Sequence, residues 1–189
     1  MSGAKLADLF CFLLYSCYNA RVPTVYLALA SNLGDREKYL RGALARVAEF
    51  VRIARVSSIY ESEARSPRAL TRTLTLVCAG ITTLSPIEVI RRTRGIEKAM
   101  GRVDGLRSPP RPMDIDILLY DRVIELSPAL TLPHPRLHTR ADLLVPLAEI
   151  APALVHPRQR VTIRALLAQL KATEHVRLYR ANSAPSKSG

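Results

Sequence analysis

Two aspartates, Asp114 and Asp116, stand in an apolar stretch where their spacing could support chemistry. The sequence from 113 to 120 alternates with a period of two, which predicts a strand with one face in the core. The core face would carry Met113, Ile115, Ile117 and Leu119, and the other face Asp114, Asp116, Leu118 and Tyr120. Both carboxylates then point the same way, with their Cα atoms about 6.6 Å apart. Mg²⁺ suits such a pair, because it takes one or two carboxylates and completes its shell with water and phosphate oxygens.

Three arginines, Arg102, Arg107 and Arg111, precede this strand in a segment rich in glycine and proline. Their guanidinium groups present paired donors whose geometry suits phosphate. Carboxylates for a metal next to arginines for phosphate predict phosphoryl-transfer chemistry. An Asp-x-Asp pair on a half-exposed strand also occurs without any metal, so the pattern by itself leaves both interpretations open.

The charge of the chain points to an anionic partner. Its 28 basic and 16 acidic residues give a formal net charge of +12 over 189 residues, a length that suits one domain. Nucleotide phosphates, nucleic acid and an acidic membrane surface are the candidate partners. Aromatic residues make up 5% of the chain and tryptophan is absent, which argues against a surface that stacks single-stranded nucleic acid.

The two ends of the chain are predicted to lie outside the folded domain, which we place at residues 22–172. Residues 1–21 are expected to be a flexible or loosely docked extension, or the product of an upstream start. Their apolar run at 9–15 is too short for a transmembrane helix and at the lower limit for a signal peptide, which is the less favoured alternative. Residues 173–189 are expected to be a tail, disordered at its end. The three cysteines lack CxxC spacing and fit a reducing compartment, so we expect a cytoplasmic protein without a membrane partner.

The elements that must position the aspartates follow from local patterns. Strands are predicted at 22–31, 52–60, 73–81 and 113–120. One helix begins after Asp35 and a second at the capping box Ser85-Pro-Ile-Glu88, ending at Gly101. Asn32 is predicted to bond turn backbone after the first strand. Residues 137–150 are predicted to be helical with a proline break, and 163–170 to form a short helix. The order β-α-β-β-α-β predicts an α/β (α+β) ferredoxin-like sandwich, with a mostly antiparallel central sheet flanked by helices.

A series of short motifs, in this order along the chain, resembles the 6-hydroxymethyl-7,8-dihydropterin pyrophosphokinase family. They are YLALASNLGD (26–35), SSIYES (57–62), LSP (84–86), GIE (95–97), GR (101–102), PRPMDIDILLY (110–120), LPHPR (132–136) and PLAEIAP (146–152). The resemblance runs from about residue 26 to residue 170. It implies a ferredoxin-like fold and transfer of pyrophosphate from ATP to a pterin hydroxymethyl group, with release of AMP, in folate biosynthesis.

The resemblance also implies roles for individual residues. Asp114 and Asp116 match the ligands of two Mg²⁺ ions that bridge the ATP phosphates, and Arg102 and Arg111 match catalytic arginines directed at phosphate. The positions that match contacts around the nucleotide are Glu97, Arg107, His134 and Arg140. Residues 101–112 would form a lid over ATP.

The chain departs from the family pattern on the acceptor side. Thr73-Leu74-Thr75 stands where the family has an aromatic residue, leucine and asparagine, and Asp142 stands where it has phenylalanine. Ser62-Glu63-Ala64 replaces Thr-x-Pro, and Arg107-Ser-Pro-Pro-Arg-Pro112 replaces Arg-Trp-Gly-Pro-Arg-Thr. The loss of two stacking aromatics would remove about 0.5–1.5 kcal/mol each. The candidate pterin residues are therefore Ser62, Thr73, Thr75 and Asp142. The pterin site has lost several family residues, whereas the ATP and metal site has kept them.

Two alternative functions follow from these departures and from the charge. The first is a paralogue that keeps the ATP and Mg²⁺ chemistry but uses another acceptor or binds pterin poorly. The second is a basic ferredoxin-like module that binds nucleic acid, which a steep salt dependence of binding would reveal. The favoured partners are the small molecules ATP and hydroxymethyl-dihydropterin rather than nucleic acid, and the oligomeric state stays open.

Overall fold

An antiparallel sheet of six strands organises the chain in the computed structural model, which describes residues 22–63, 72–102, 111–170, 173 and 175–182. Its strands are β1 Thr24–Ser31, β2 Arg52–Val56, β3 Ile59–Ser62, β4 Thr73–Ile81, β5 Asp114–Tyr120 and β8 Val176–Arg180. The strand order is β5-β1-β4-β3-β8, and β2 pairs with β4 beside β3. The short strands β6 Glu125–Leu126 and β7 Thr131–Leu132 form a separate pair. β1 connects the edge strand β5 to β4, the central strand of the sheet.

Helices cover both faces of this sheet. They are α1 Arg36–Val47, α2 Pro86–Ala99, α3 Ala141–Ile150 and α4 Ile163–Ala168, with a 3-10 turn at Leu137–Thr139 before α3. The predicted helix starts are confirmed: the Asp35 side chain accepts from the Lys38 backbone N at 3.1 Å, and Ser85 and Glu88 form a capping box. Gly101 adopts a φ of 95° after α2, a conformation that favours glycine and ends the helix.

Two hydrophobic cores lie on opposite faces of the sheet. The first packs α1 and α2 against the face that carries Leu27, Leu29 and Leu76. The second packs α3 and α4 against the face that carries Ala28 and Val77. The predicted ferredoxin-like sandwich is confirmed. Its sheet has the order β5-β1-β4 followed by β2 and β3, which both pair with β4, and all these pairings are antiparallel.

The strand predicted at 52–60 is divided in two at Ser57 and Ser58. The Ser57 hydroxyl accepts from the Val77 backbone N at 2.9 Å, so a side chain replaces a backbone partner in the ladder. Ser58 donates its backbone N–H and its hydroxyl to the Glu149 carboxylate of α3. These contacts bend the chain between β2 and β3, which an alternating pattern alone does not reveal.

The predicted faces of β5 are correct up to Ile117 and wrong for Leu119 and Tyr120. Tyr26 pairs with Leu119 but Leu27 pairs with Ile117, so Leu118 is an extra residue in the ladder. A bulge of this kind shifts the alternation by one position. Leu119 consequently joins the second core, whereas Tyr120 joins the first and donates its hydroxyl to the Leu84 carbonyl at 2.7 Å.

Two further elements differ from the sequence-based expectation. Pro146 lies inside α3, which continues to Ile150, so the predicted proline break is wrong. Within the predicted tail, Val176–Arg180 forms β8 by pairing with β3, an element that its largely exposed side chains give little reason to predict. Within the described residues, each helix is too short or too polar to span a lipid bilayer.

Two glycines allow a matched test of the packing. A Cβ at Gly80 of β4 would lie 2.5 Å from the Arg52 carbonyl oxygen and 2.7 Å from Val51 Cγ1, whereas a Cβ at Gly95 of α2 meets nothing within 4 Å. We expect Gly80→Ala to lower the free energy of unfolding by about 3 kcal/mol through this backbone clash. Gly95→Ala should raise it by about 1 kcal/mol through helix propensity. Urea denaturation of both variants measures the difference, and equal effects would contradict the β2–β4 register.

Candidate active site

A cleft of about 360 Å³ opens over the first half of β5, between α2 and the segment 129–140. Its charged and titratable lining residues are Glu97, Arg102, Arg111, Asp114, Asp116, His134, Arg136 and Arg140, along with Arg94. The structure thus brings together all the predicted metal, catalytic and nucleotide residues except Arg107, which lies outside the described residues. Arg136, which follows the proline-bounded His134, was not singled out from the sequence.

Each of the two aspartates pairs with an alanine of the neighbouring strand. Ala30 of β1 pairs with Asp114, and Ala28 pairs with Asp116. Paired residues on adjacent strands share a face, and the methyl side chains of alanine do not cover the carboxylates. Ala30 is partly exposed and leaves room beside Asp114, whereas Ala28 is buried in the second core.

Asp114 is held by two arginines. Arg102 Nη1 lies 3.1 Å and Arg111 Nη1 lies 2.9 Å from the same oxygen, Asp114 Oδ1. Arg102 Nη1 also lies 2.5 Å from Glu97 Oε2, so it bridges two carboxylates. Each of these two arginine side chains is 28% exposed, so neither is fully buried by its contacts.

Glu97 connects α2 to the start of β5. Its Oε1 accepts from the Ile115 backbone N at 2.7 Å, while its Oε2 contacts Arg102. Burial raises the pKa of Glu97 to about 7, opposed by the Ile115 N–H and Arg102 and reinforced by the charge of Asp114. Both oxygens are engaged within the protein, and the side chain is 2% exposed.

Asp116 carries a carboxylate without close compensation. Desolvation and then repulsion by Asp114 raise its pKa to about 6, against the opposing charges of Arg140, Arg136 and Arg102. The side chain is still 38% exposed, so solvent and a ligand can reach it. A cation bound here would offset the repulsion between the two aspartates.

Two carboxylates with cleft space beside them fit Mg²⁺ in combination with phosphate. Within the described residues no group of three or more His, Cys, Asp or Glu side chains forms a metal cage. Mg²⁺ does not need one, since it is usually bound through one or two carboxylates, waters and substrate phosphates. The donor set consists of hard oxygens, which this ion prefers.

His134 is neutral and directs one ring N–H toward Asp116. Its Nδ1 accepts from the Arg136 backbone N at 3.3 Å, which assigns the proton to Nε2. Burial, together with Arg140 and Arg136, lowers the pKa of His134 to about 4. The Nε2 atom lies 3.8 Å from Asp116 Oδ2, which is beyond hydrogen-bond distance, and because the ring is neutral the two groups form no ion pair. This N–H is therefore a donor directed toward the space beside Asp116.

Arg140 and Asp142 form a bidentate pair at the start of α3. Arg140 Nε lies 3.2 Å from Asp142 Oδ1, and Arg140 Nη2 lies 2.5 Å from Oδ2. The carboxylate raises the pKa of Arg140 despite its burial, which opposes the charge. Asp142 is nearly buried and held by an arginine of the cleft, although the cleft itself is lined by Arg140 and not by Asp142.

The remaining predicted pterin residues lie on the same face of the sheet as Asp114. In the strand register Asp114, Ala30, Thr75 and Tyr60 form one row across β5, β1, β4 and β3. Ser62 pairs with Thr73 two residues further along, on the same face. The Thr75 hydroxyl is buried and has no hydrogen-bond partner among the described residues. None of these three side chains lines the cleft itself.

Asn32 makes a contact with the site that local sequence patterns did not reveal. Its Oδ1 accepts from the Arg111 backbone N at 2.6 Å, and its own backbone N donates to the Arg111 carbonyl at 3.2 Å. Asn32 was predicted to bond the backbone of its own turn, but its side chain bonds the backbone of a residue 79 positions away. Pairing over such a distance in sequence leaves no local signal.

Comparison with known proteins gives the same family from sequence and the same fold from structure. The profile of the family described as 7,8-dihydro-6-hydroxymethylpterin-pyrophosphokinase (HPPK) matches residues 26–152. The chain is 38% identical over 141 residues to the 2-amino-4-hydroxy-6-hydroxymethyldihydropteridine pyrophosphokinase of Aquifex aeolicus, covering 75% of this chain and 88% of that protein. The enzyme of the same name from Bacillus subtilis is 41% identical over 127 residues, covering 66% of this chain and 76% of that protein.

The solved structures include a wild-type HPPK-DHPS of Plasmodium falciparum with SDX-DHP. It superposes with a TM-score of 0.64 at 13% identity over 78% of this chain. The present chain spans 44% of the length of that longer chain. At this level of identity the similarity shows the fold alone.

Proposed function

The chain belongs to the 7,8-dihydro-6-hydroxymethylpterin-pyrophosphokinase family, and we propose roles in the reaction for residues of its cleft. As a pyrophosphokinase it transfers pyrophosphate from ATP to the hydroxymethyl group of 6-hydroxymethyl-7,8-dihydropterin, a step of folate biosynthesis. The main support for these roles is the cleft in which Asp114 and Asp116 lie beside Arg102 and Arg111.

We assign Asp114 and Asp116 as the ligands of Mg²⁺, with two ions as the expected number. When bound with ATP, Mg²⁺ would neutralise phosphate charge and orient the polyphosphate chain. The raised pKa of Asp116 supports this assignment, because it reflects a carboxylate whose charge the protein alone does not compensate. The small, partly exposed side chain of Ala30 beside Asp114 is consistent with this assignment.

Arg102 and Arg111 are the proposed catalytic residues. The pterin hydroxyl oxygen attacks the β-phosphorus of ATP and loses its proton, while the bond from that phosphorus to the α-β bridging oxygen breaks and AMP leaves. The two arginines contact Asp114, so a phosphate bound through Mg²⁺ at Asp114 and Asp116 would lie near their guanidinium groups. There they would stabilise the negative charge that develops on the bridging oxygen.

The other nucleotide residues fall into two groups. His134 and Arg140 line the cleft and present N–H donors to it, which suits direct contact with ATP. Glu97 has both oxygens engaged by Arg102 and Ile115, which supports an indirect contribution to ATP binding through the position of Arg102. Arg107 stays a predicted ATP contact from the resemblance.

For the acceptor we propose the sheet face that carries Ser62, Thr73 and Thr75. The buried Thr75 hydroxyl has no partner among the described residues, and a heterocycle edge that reached this face would satisfy it. Asp142 is held by Arg140, and it would act on the pterin together with that arginine. In this arrangement hydrogen bonds replace part of the stacking that aromatic residues supply elsewhere in the family.

Sequential calorimetry tests this division of the site. A non-hydrolysable ATP analogue is titrated into the protein in the presence of Mg²⁺. 6-Hydroxymethylpterin is then titrated into the resulting complex. We expect pterin binding only after the nucleotide, and weaker pterin binding by about tenfold in Thr75→Val, which keeps the shape and removes the hydroxyl. Nucleotide binding without pterin binding would instead assign the ATP half another acceptor.

A further inference from the structure

We propose that Asn32 is a positioning residue for catalysis, which holds the backbone of Arg111 so that its guanidinium stays over Asp114. The inference rests on the proposed function of Arg111. Two hydrogen bonds support the inference. The Arg111 backbone N donates to Asn32 Oδ1 at 2.6 Å, and the Asn32 backbone N donates to the Arg111 carbonyl at 3.2 Å. Both polar groups of the Arg111 backbone are thereby attached to one residue.

This contact is not a continuation of the strand ladder. The regular pairing of β1 with β5 ends at Ala30 and Asp114, and its extension would place Asn32 opposite Pro112. Proline has no backbone N–H to donate, so the ladder cannot continue in that register. The Asn32 amide oxygen instead accepts from the next residue back, Arg111, where the chain enters the site.

The position of Arg111 follows from this attachment. Arg111 lies three residues before Asp114, and its Nη1 reaches Asp114 Oδ1 at 2.9 Å. β1 is an interior strand paired with both β4 and β5, so Asn32, which directly follows β1, attaches the arginine backbone to the sheet. Asn32 does not itself line the cleft, so its effect on the reaction would pass through Arg111.

The test compares Asn32→Ala with Asn32→Asp, which keeps an acceptor oxygen at the same place. We expect Asn32→Ala to lower kcat about 10- to 100-fold while KM for ATP changes by less than about threefold, because a misplaced group costs mainly transition-state stabilisation. Asn32→Asp should restore most of kcat. Asn182→Ala is the matched control: it removes an asparagine that bridges to the Val56 carbonyl at 2.7 Å, away from the cleft, and should leave kcat unchanged.

A double-mutant cycle separates positioning from a purely structural effect. In the Arg111→Ala background, Asn32→Ala should cost less than about twofold in kcat, since the group that it positions is gone. Equal costs of Asn32→Ala in both backgrounds, or no recovery in Asn32→Asp, would overturn the proposal. If Arg111→Ala by itself left kcat unchanged, the catalytic assignment of Arg111 would fail instead, so the two failures are distinguishable.

Discussion

Asp116→Asn is expected to lower kcat by about a thousandfold or more, because it removes one of the two charges that hold Mg²⁺ in the proposed site. The substitution keeps the shape of the side chain. Asp116 Oδ2 lies 3.8 Å from His134 Nε2, beyond hydrogen-bond distance. Because the substitution does not break this contact as a hydrogen bond, the fold should survive. The raised pKa of Asp116 indicates that its ionised form is disfavoured in the folded chain without metal. The neutral variant should therefore be at least as stable as the parent at neutral pH.

Turnover measured across a Mg²⁺ titration, together with a urea denaturation curve, checks both parts of this expectation. Asp35→Asn is the matched control, because it makes the same chemical change at a helix N-cap where asparagine serves as well as aspartate. It should leave turnover and stability within error. An Asp116→Asn enzyme with the turnover of the parent would remove this residue from the metal site.

Arg111→Ala is expected to lower kcat about 100- to 1,000-fold while weakening the binding of the Mg²⁺–nucleotide analogue by less than about tenfold. The reason is that an arginine directed at developing charge acts more strongly on the transition state than on bound ATP. Its partner Arg102 also contacts Asp114, so the aspartate keeps one cationic neighbour in the variant. The ground-state site should therefore remain largely assembled.

Steady-state kinetics and calorimetry on the same preparation separate the two effects. Arg91→Ala on the exposed surface of α2 is the control for loss of one positive charge, and it should change neither quantity. A defect confined to nucleotide affinity would show that Arg111 positions ATP and does not act in the transition state.

The predictions from sequence that succeeded concern short-range order. The caps at Asp35 and at Ser85 with Glu88 involve residues three apart, and the alternation from 113 to 117 needs only neighbouring positions. The order of the motifs also identified the family, because the residues of one cleft recur as short strings along the chain. Local propensity and periodicity act within one element, so they can be read without knowing what packs against it.

The tertiary structure alone decided which of these side chains meet. Glu97 contacts Ile115 across 18 residues, Ser58 contacts Glu149 across 91, and Asn32 contacts Arg111 across 79. The bulge at Leu118 and the unbroken α3 around Pro146 depend in the same way on packing between elements. The sequence therefore predicted the main helices and strands, the family and the chemical types of the site residues, but neither β8 nor the division of the 52–60 strand. Their partners, protonation and supporting contacts were decided by strand register and burial, which exist only once distant segments pack together.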